Sequence, residues 1–199
     1  MRDPFGAPSL WYLLIEASGG EGSSEAFTQF LAKALEEGII SDATVASSEA
    51  QRNEIWRIRE AIVESQKREG GSIKNDVSVP ISQVPDFIAE ASKAVVALIP
   101  DARPLPFGHI GDGNIHFNIS QPPGMDKQAF LERWDDINKT VYDVVIKHGG
   151  SFSAEHGIGR LKVETMRKIK SPVELDIMRG IKSLLDPLGI LNPGKVIPP

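Results

Sequence analysis

The segment Phe107-Gly-His-Ile-Gly-Asp-Gly-Asn-Ile-His-Phe-Asn-Ile119 constrains the fold more than any other stretch of this 199-residue chain. Asp112-Gly113 is a strong signal for a tight β-turn, because hairpin turns need positive φ values that glycine accepts without cost. Apolar residues on both sides predict an antiparallel hairpin. With Asp112 and Gly113 at the tip, Gly111 faces Asn114, Ile110 faces Ile115 and His109 faces His116. A four-residue loop from Gly111 to Asn114 gives the same pairing. Opposed side chains lie about 4.5–5.5 Å apart at Cβ. That lets two imidazoles reach one metal ion, since each metal–nitrogen bond is about 2.0–2.1 Å. Alternation places the isoleucines on one face and Asn118 with His116 on the other. The pattern suits a core wall with a site on its back; two surface histidines made adjacent by turn geometry are the plainer alternative.

Around the hairpin, periodicity predicts an α+β domain, a largely antiparallel sheet covered by helices. Trp11 to Ala17 and Ala43 to Ala46 read as strands, as does Ser72 to Val79, closed by Pro80. Helical spacing puts Phe27, Phe30, Leu31, Ala34 and Leu35 on one face, with Gly38 as C-cap. Further helices are expected from Glu49 to about Ser65, from Pro85 through Leu98, and from about Lys127 to Lys147. The last starts at Ser171-Pro172-Val173-Glu174, a capping box with proline at its first position, and runs to about Leu185.

A third metal ligand has to come from outside the hairpin. Ser151-Phe-Ser-Ala-Glu-His-Gly-Ile-Gly159 offers Glu155, a hard anionic donor, with His156 beside it. Glycines at 149, 150, 157 and 159 permit close backbone approach. Two histidines and a carboxylate with an open position form a common catalytic arrangement for zinc, and also suit iron or manganese. His156 is then a free imidazole near the ion, available as a general base. The alternative is that Glu155 and His156 cap a helix at Arg160.

Three motifs carry a family resemblance. Gly108-His-Ile-Gly-Asp-Gly-Asn-Ile-His116, Ser153-Ala-Glu-His-Gly-Ile-Gly159 and Leu185-Asp-Pro-Leu-Gly-Ile-Leu-Asn-Pro-Gly-Lys195 resemble the C-terminal part of FAD-linked 2-hydroxy-acid dehydrogenases. That family includes D-lactate, D-2-hydroxyglutarate and glycolate-oxidase-subunit enzymes of the vanillyl-alcohol-oxidase flavoprotein superfamily. Trp56-Arg-Ile-Arg-Glu60 and Lys74-Asn-Asp76 are similar to its substrate region. The resemblance covers essentially the whole chain. It implies a ferredoxin-like cap, with residues 1–199 forming the C-terminal substrate-binding domain and the N-terminal FAD-binding domain absent, so that the chain is a fragment or a separate subunit.

Carried over by position, the resemblance implies that His109, His116 and Glu155 bind zinc or manganese. It implies His156 as catalytic base, Asn118 near substrate, and Arg59 and Lys74 as the cations on the substrate carboxylate. Asn192 and Lys195 would touch flavin in a complete protein. Read without the resemblance, Arg59 is a solvated helix charge, Lys74 an edge-strand lysine, and Asn192-Pro-Gly a terminal turn. Val63 stands where the family often has a hydroxylated residue, one helical turn after the arginine.

The implied activity is oxidation of a D-2-hydroxy acid to a 2-oxo acid with hydride transfer to FAD. Its partners would be a small 2-hydroxy acid and an FAD-binding domain in cis or in trans, with a homodimer as one candidate assembly. A formal net charge of −5 without basic runs argues against nucleic acid. Without cysteine, thiolate zinc and Fe–S sites are excluded. No apolar run reaches the roughly 18 residues of a membrane span, and the start lacks the pattern of a signal peptide, so a cytoplasmic protein is expected. Two competing readings use the same residues: a stand-alone metal-dependent hydrolase, and a non-catalytic carboxylate-binding subunit of a flavoprotein complex.

Overall fold

Residues 3–198 are described by a computed structural model. They fall into two units, one ending at Arg68 and the other starting at Glu69. The first unit holds helices α1 (Ser23–Glu36) and α2 (Glu49–Gln66). Helix α1 ends as expected: Gly38 adopts a φ of 68°, and the Ile39 N–H returns to the Ala34 carbonyl at 2.9 Å. Ser48 caps α2 by accepting the Gln51 N–H at 3.3 Å. Glu16 takes the Trp56 indole N–H at 2.7 Å and pairs with Arg52 at 3.1 Å.

Neither strand expected in this unit forms. Trp11 to Ala17 and Ala43 to Ala46 join no ladder. A strand exists only where a neighbour takes up its backbone groups, and these segments leave Leu13, Ile15 and Val45 at 67%, 49% and 53% exposure. The apolar face expected of α1 is also largely uncovered, with Phe30 and Leu35 exposed and Ala34 buried.

The second unit contains the sheet. Strands β1 (Ser72–Ser78), β2 (Arg103–His109) and β3 (Asn114–Ser120) pair antiparallel in the order β1-β3-β2. Helix α3 (Val84–Leu98) links β1 to β2, starting with a proline in its first turn. The segment expected as one helix from Lys127 to Lys147 is two, α4 (Lys127–Leu131) and α5 (Trp134–Lys147), broken at Glu132-Arg133. Asp126 caps α4 through the Ala129 N–H, and the break lets both Phe130 and Ile137 reach complete burial. Helices α6 (Val163–Ile169) and α7 (Pro172–Leu185) follow, α7 opening with the expected capping box at Ser171 and Glu174.

The run β1-α3-β2-β3-α5 is the first five elements of a ferredoxin-like βαββαβ unit. Where the sixth would lie, beside β1, there is one antiparallel bridge from Ser151 to Ser78. The core fills the gap between the sheet and helices α3 and α5. Ile73, Val77, Phe117 and Ile119 meet Phe87, Val95, Ile137, Val141 and Val145, all without measurable exposure. The Phe87 and Phe117 rings lie 5.6 Å apart in a tilted pair. The expected α+β architecture, an antiparallel sheet covered by helices, is what this unit adopts.

Candidate metal centre

Because β-strand side chains alternate, burying Ile115, Phe117 and Ile119 of β3 against the helices sends Asn114, His116 and Asn118 to the opposite face. On that face Asp76 of β1 lies opposite His116, and Lys74 opposite Asn118. The hairpin register differs from the expected one. The loop is Ile110 to Gly113, so His109 pairs with Asn114 and Phe107 with His116. Gly113 explains the choice. Its φ is 72°, its carbonyl takes the Val79 N–H at 3.1 Å, and an added Cβ would stand 2.0 Å from the Val79 oxygen. The tip is thus clamped onto the end of β1. A shift of two residues leaves every side chain on its face, so His109 and His116 remain on one side as diagonal neighbours.

Asp76 organises the other half of the site. Its buried carboxylate accepts three successive backbone N–H groups, from Ala154 at 3.2 Å, Glu155 at 2.9 Å and His156 at 2.8 Å, all on Oδ2. Oδ1 accepts the Asn114 side-chain amide at 3.0 Å. Burial opposes its charge, yet the His156 N–H, the Asn114 amide and the His156 imidazole outweigh that and hold its pKa below the usual range. A loop that has just made the Ser151–Ser78 bridge is thereby folded down over β1 and β3.

The consequence is convergence. Glu155 reaches between the hairpin histidines, Oε1 at 3.3 Å from His109 Nδ1 and Oε2 at 3.5 Å from His116 Nε2. His116 Nδ1 is 3.7 Å from Asp76 Oδ1, and the His116 and His156 rings are 5.9 Å apart. Ligand atoms of Asp76, His116, Glu155 and His156 all lie within 4.8 Å of one another. Two donors each about 2.1 Å from a tetrahedral ion stand about 3.4 Å apart, close to the contacts Glu155 makes with both histidines. Imidazole and carboxylate donors suit zinc or manganese. The donor set fits a divalent cation.

Of the other residues singled out in the sequence, Lys74 and Asn118 are cross-strand partners on the same face, Lys74 exposed and Asn118 4% exposed. Arg59 lies half-buried on α2, in the first unit. Asn192 and Lys195 are exposed in the C-terminal segment, Asn192 at a φ of 47°. Val196 ties that segment to the loop, its N–H meeting the Gly159 carbonyl at 2.7 Å.

Residues 2–196 match the family described as "FAD linked oxidases, C-terminal domain". The chain belongs to that family. Relatives of this FAD-linked oxidase domain include the D-2-hydroxyglutarate dehydrogenase of Stutzerimonas stutzeri (strain A1501), 38% identical over 97% of the chain and 42% of that protein. The mitochondrial D-2-hydroxyglutarate dehydrogenase of Arabidopsis thaliana is 38% identical over 100% of the chain and 34% of its own length. The D-2-hydroxyglutarate dehydrogenase of Xanthomonas citri pv. viticola is 39% identical over 97% and 41%. The chain therefore spans well under half the length of these relatives. Among its described residues no helix is long and apolar enough to cross a membrane.

In this FAD-linked oxidase domain, Asp76 is the residue that sequence reasoning passed over. It sat within the quoted Lys74-Asn-Asp76, and a signal was present: aspartate is disfavoured inside strands, so one in the middle of Ser72–Ser78 calls for a reason.

Proposed function

We propose that this domain is the substrate- and metal-binding part of a flavin-dependent dehydrogenase that oxidises a D-2-hydroxy acid, D-2-hydroxyglutarate first among candidates, to its 2-oxo acid. One observation carries the reading: Glu155 spans His109 and His116, with His156 alongside, on the sheet face that presents Lys74 and Asn118. The FAD-binding domain is supplied in cis or in trans. A divalent ion bound there would supply Lewis-acid polarisation of the substrate hydroxyl, and bound flavin would supply the hydride acceptor.

His109, His116 and Glu155 would hold the cation, with the buried Asp76 as the anchor of the loop. His156, whose ring lies beside that of His116, takes the hydroxyl proton on its imidazole. Lys74 holds the substrate carboxylate by charge and hydrogen bonding, which aligns the reacting C–H bond. The Asn118 amide contributes a neutral contact beside Lys74. Asn192 and Lys195 meet the flavin from the C-terminal segment.

The test is made in the flavin-containing protein with His116→Ala and, separately, Glu155→Ala. Bound zinc and manganese are measured together with flavin reduction by D-2-hydroxyglutarate and D-lactate. Loss of metal and of flavin reduction is expected in both variants. Metal content and reduction rates equal to the parent's would defeat the assignment.

A further inference from the structure

Asp76 grips the loop through its backbone N–H groups, and a second group grips it through its oxygens. Lys162, half-buried just before α6, donates from Nζ to the Phe152 carbonyl at 2.9 Å and to Ser153 Oγ at 3.0 Å. The Ser153 hydroxyl in turn donates to the Gly157 carbonyl at 2.7 Å. These bonds bracket Ala154, Glu155 and His156, the three residues whose N–H groups Asp76 takes. Carbonyl and hydroxyl oxygens of the loop thus meet a cation while its amide protons meet an anion. Burial pulls the Lys162 pKa below its usual range, and the Asp76 carboxylate pulls it back.

We propose that Lys162 is a positioning residue for the metal centre: through the Phe152 carbonyl and the Ser153 hydroxyl it holds the 152–157 loop in the one conformation that sets Glu155 between His109 and His116. Lysine suits the task because three donors radiate from one ammonium, enough for both protein oxygens. This rests on the metal reading above, since what Lys162 positions is the carboxylate ligand and the adjoining His156.

The full 199-residue chain is tested as the parent, as Lys162→Met, which keeps length and removes charge and donors, and as Lys162→Arg. Two quantities are read on the folded protein: hydrogen exchange at the 154–156 amides, and titration with Co2+ followed by its visible ligand-field bands. Lys162→Met is expected to weaken Co2+ binding by about 10–100-fold, the usual effect of removing a group that orients a ligand, and to alter the bands at saturation. Protection of the 154–156 amides falls while that of β3 amides does not, and Lys162→Arg binds more tightly than Lys162→Met. A lysine that only stabilised the fold would lower protection throughout and leave the bands unchanged.

Parent-like 154–156 exchange in Lys162→Met overturns the proposal whatever the metal does, and so does parent-like Co2+ affinity. If the parent itself binds no Co2+, or His116→Ala binds it equally well, the metal reading fails instead, and exchange alone decides whether Lys162 holds the loop. Should Lys162→Met not fold, Ser153→Ala removes one of the two acceptors and the link to Gly157. It is then expected to raise 154–156 exchange and weaken Co2+ binding, and parent-like values of both refute the proposal.

Discussion

Replacing Asp76 by alanine and by asparagine separates the charge of the anchor from its shape. In the native chain its carboxylate accepts hydrogen bonds from the N–H groups of residues 154, 155 and 156 and from the Asn114 amide. Alanine removes all of them. The Asn114 side chain is buried, and its Oδ1 already lacks a partner, so the orphaned amide costs about 1–3 kcal/mol. The three loop N–H groups are only partly buried and water replaces some of what they lose, adding about 2–3 kcal/mol together. Asp76→Ala should therefore destabilise by roughly 3–6 kcal/mol, a large share of the 5–15 kcal/mol typical of a domain. Asparagine has the same outline, and its oxygen can take the place of Oδ2. Its NH2 then meets Asn114, which turns its side chain over and accepts with the oxygen that was unpartnered. What remains is the loss of charge assistance and an Asn114 NH2 turned to where the oxygen lacked a partner, together about 1–3 kcal/mol. Urea unfolding followed by circular dichroism reads both values. Equal costs for the two variants, or a cost below about 1 kcal/mol for alanine, would refute the account of Asp76 as a satisfied anion under the loop.

Two other perturbations probe the same framework. Gly113→Ala forces a side chain into a positive φ, worth about 1–2 kcal/mol, and drives Cβ against the Val79 oxygen 2.0 Å away; unfolding should show a loss beyond the conformational cost, with weaker Co2+ binding as the tip and His109 move. Tyr142, buried against Phe152, has its pKa pushed up to about 12, by burial first and then by the Asp76 charge. Its folded value lies above its ordinary 10.0, so its contribution to stability is complete below pH 10 and is lost as pH rises from about 10 toward 12. Melting temperatures across that interval should fall more steeply in the parent than in Tyr142→Phe, and parallel curves would contradict the assignment.

The hairpin was legible because its cues are local. Asp112-Gly113 marks the reversal, and the alternation from Asn114 to Ser120 assigns each side chain to a face. Register was not, since the contact that selects it joins Gly113 to Val79, thirty-four residues away in sequence. Parity protected the inference that mattered: His109 and His116 share a face in either register. Glu155 and His156 were legible as chemistry beside a glycine-rich loop, whereas their aim depends on Asp76, which shows itself only once β1 and β3 are paired. Trp11–Ala17 and Ala43–Ala46 failed for a related reason, because apolar content is visible in a sequence and a pairing neighbour is not. The break at Glu132-Arg133 follows from where Phe130 and Ile137 must be buried, which periodicity along one helix does not reveal.

The lone Ser151–Ser78 bridge has a practical consequence for handling the protein. The flank of β1 that a sixth strand would have shielded is guarded instead by a segment whose order depends on charged side chains. Acid that protonates Asp76 would loosen this guard and bare a row of peptide groups able to recruit another chain, so clumping on storage would report that this loop had let go.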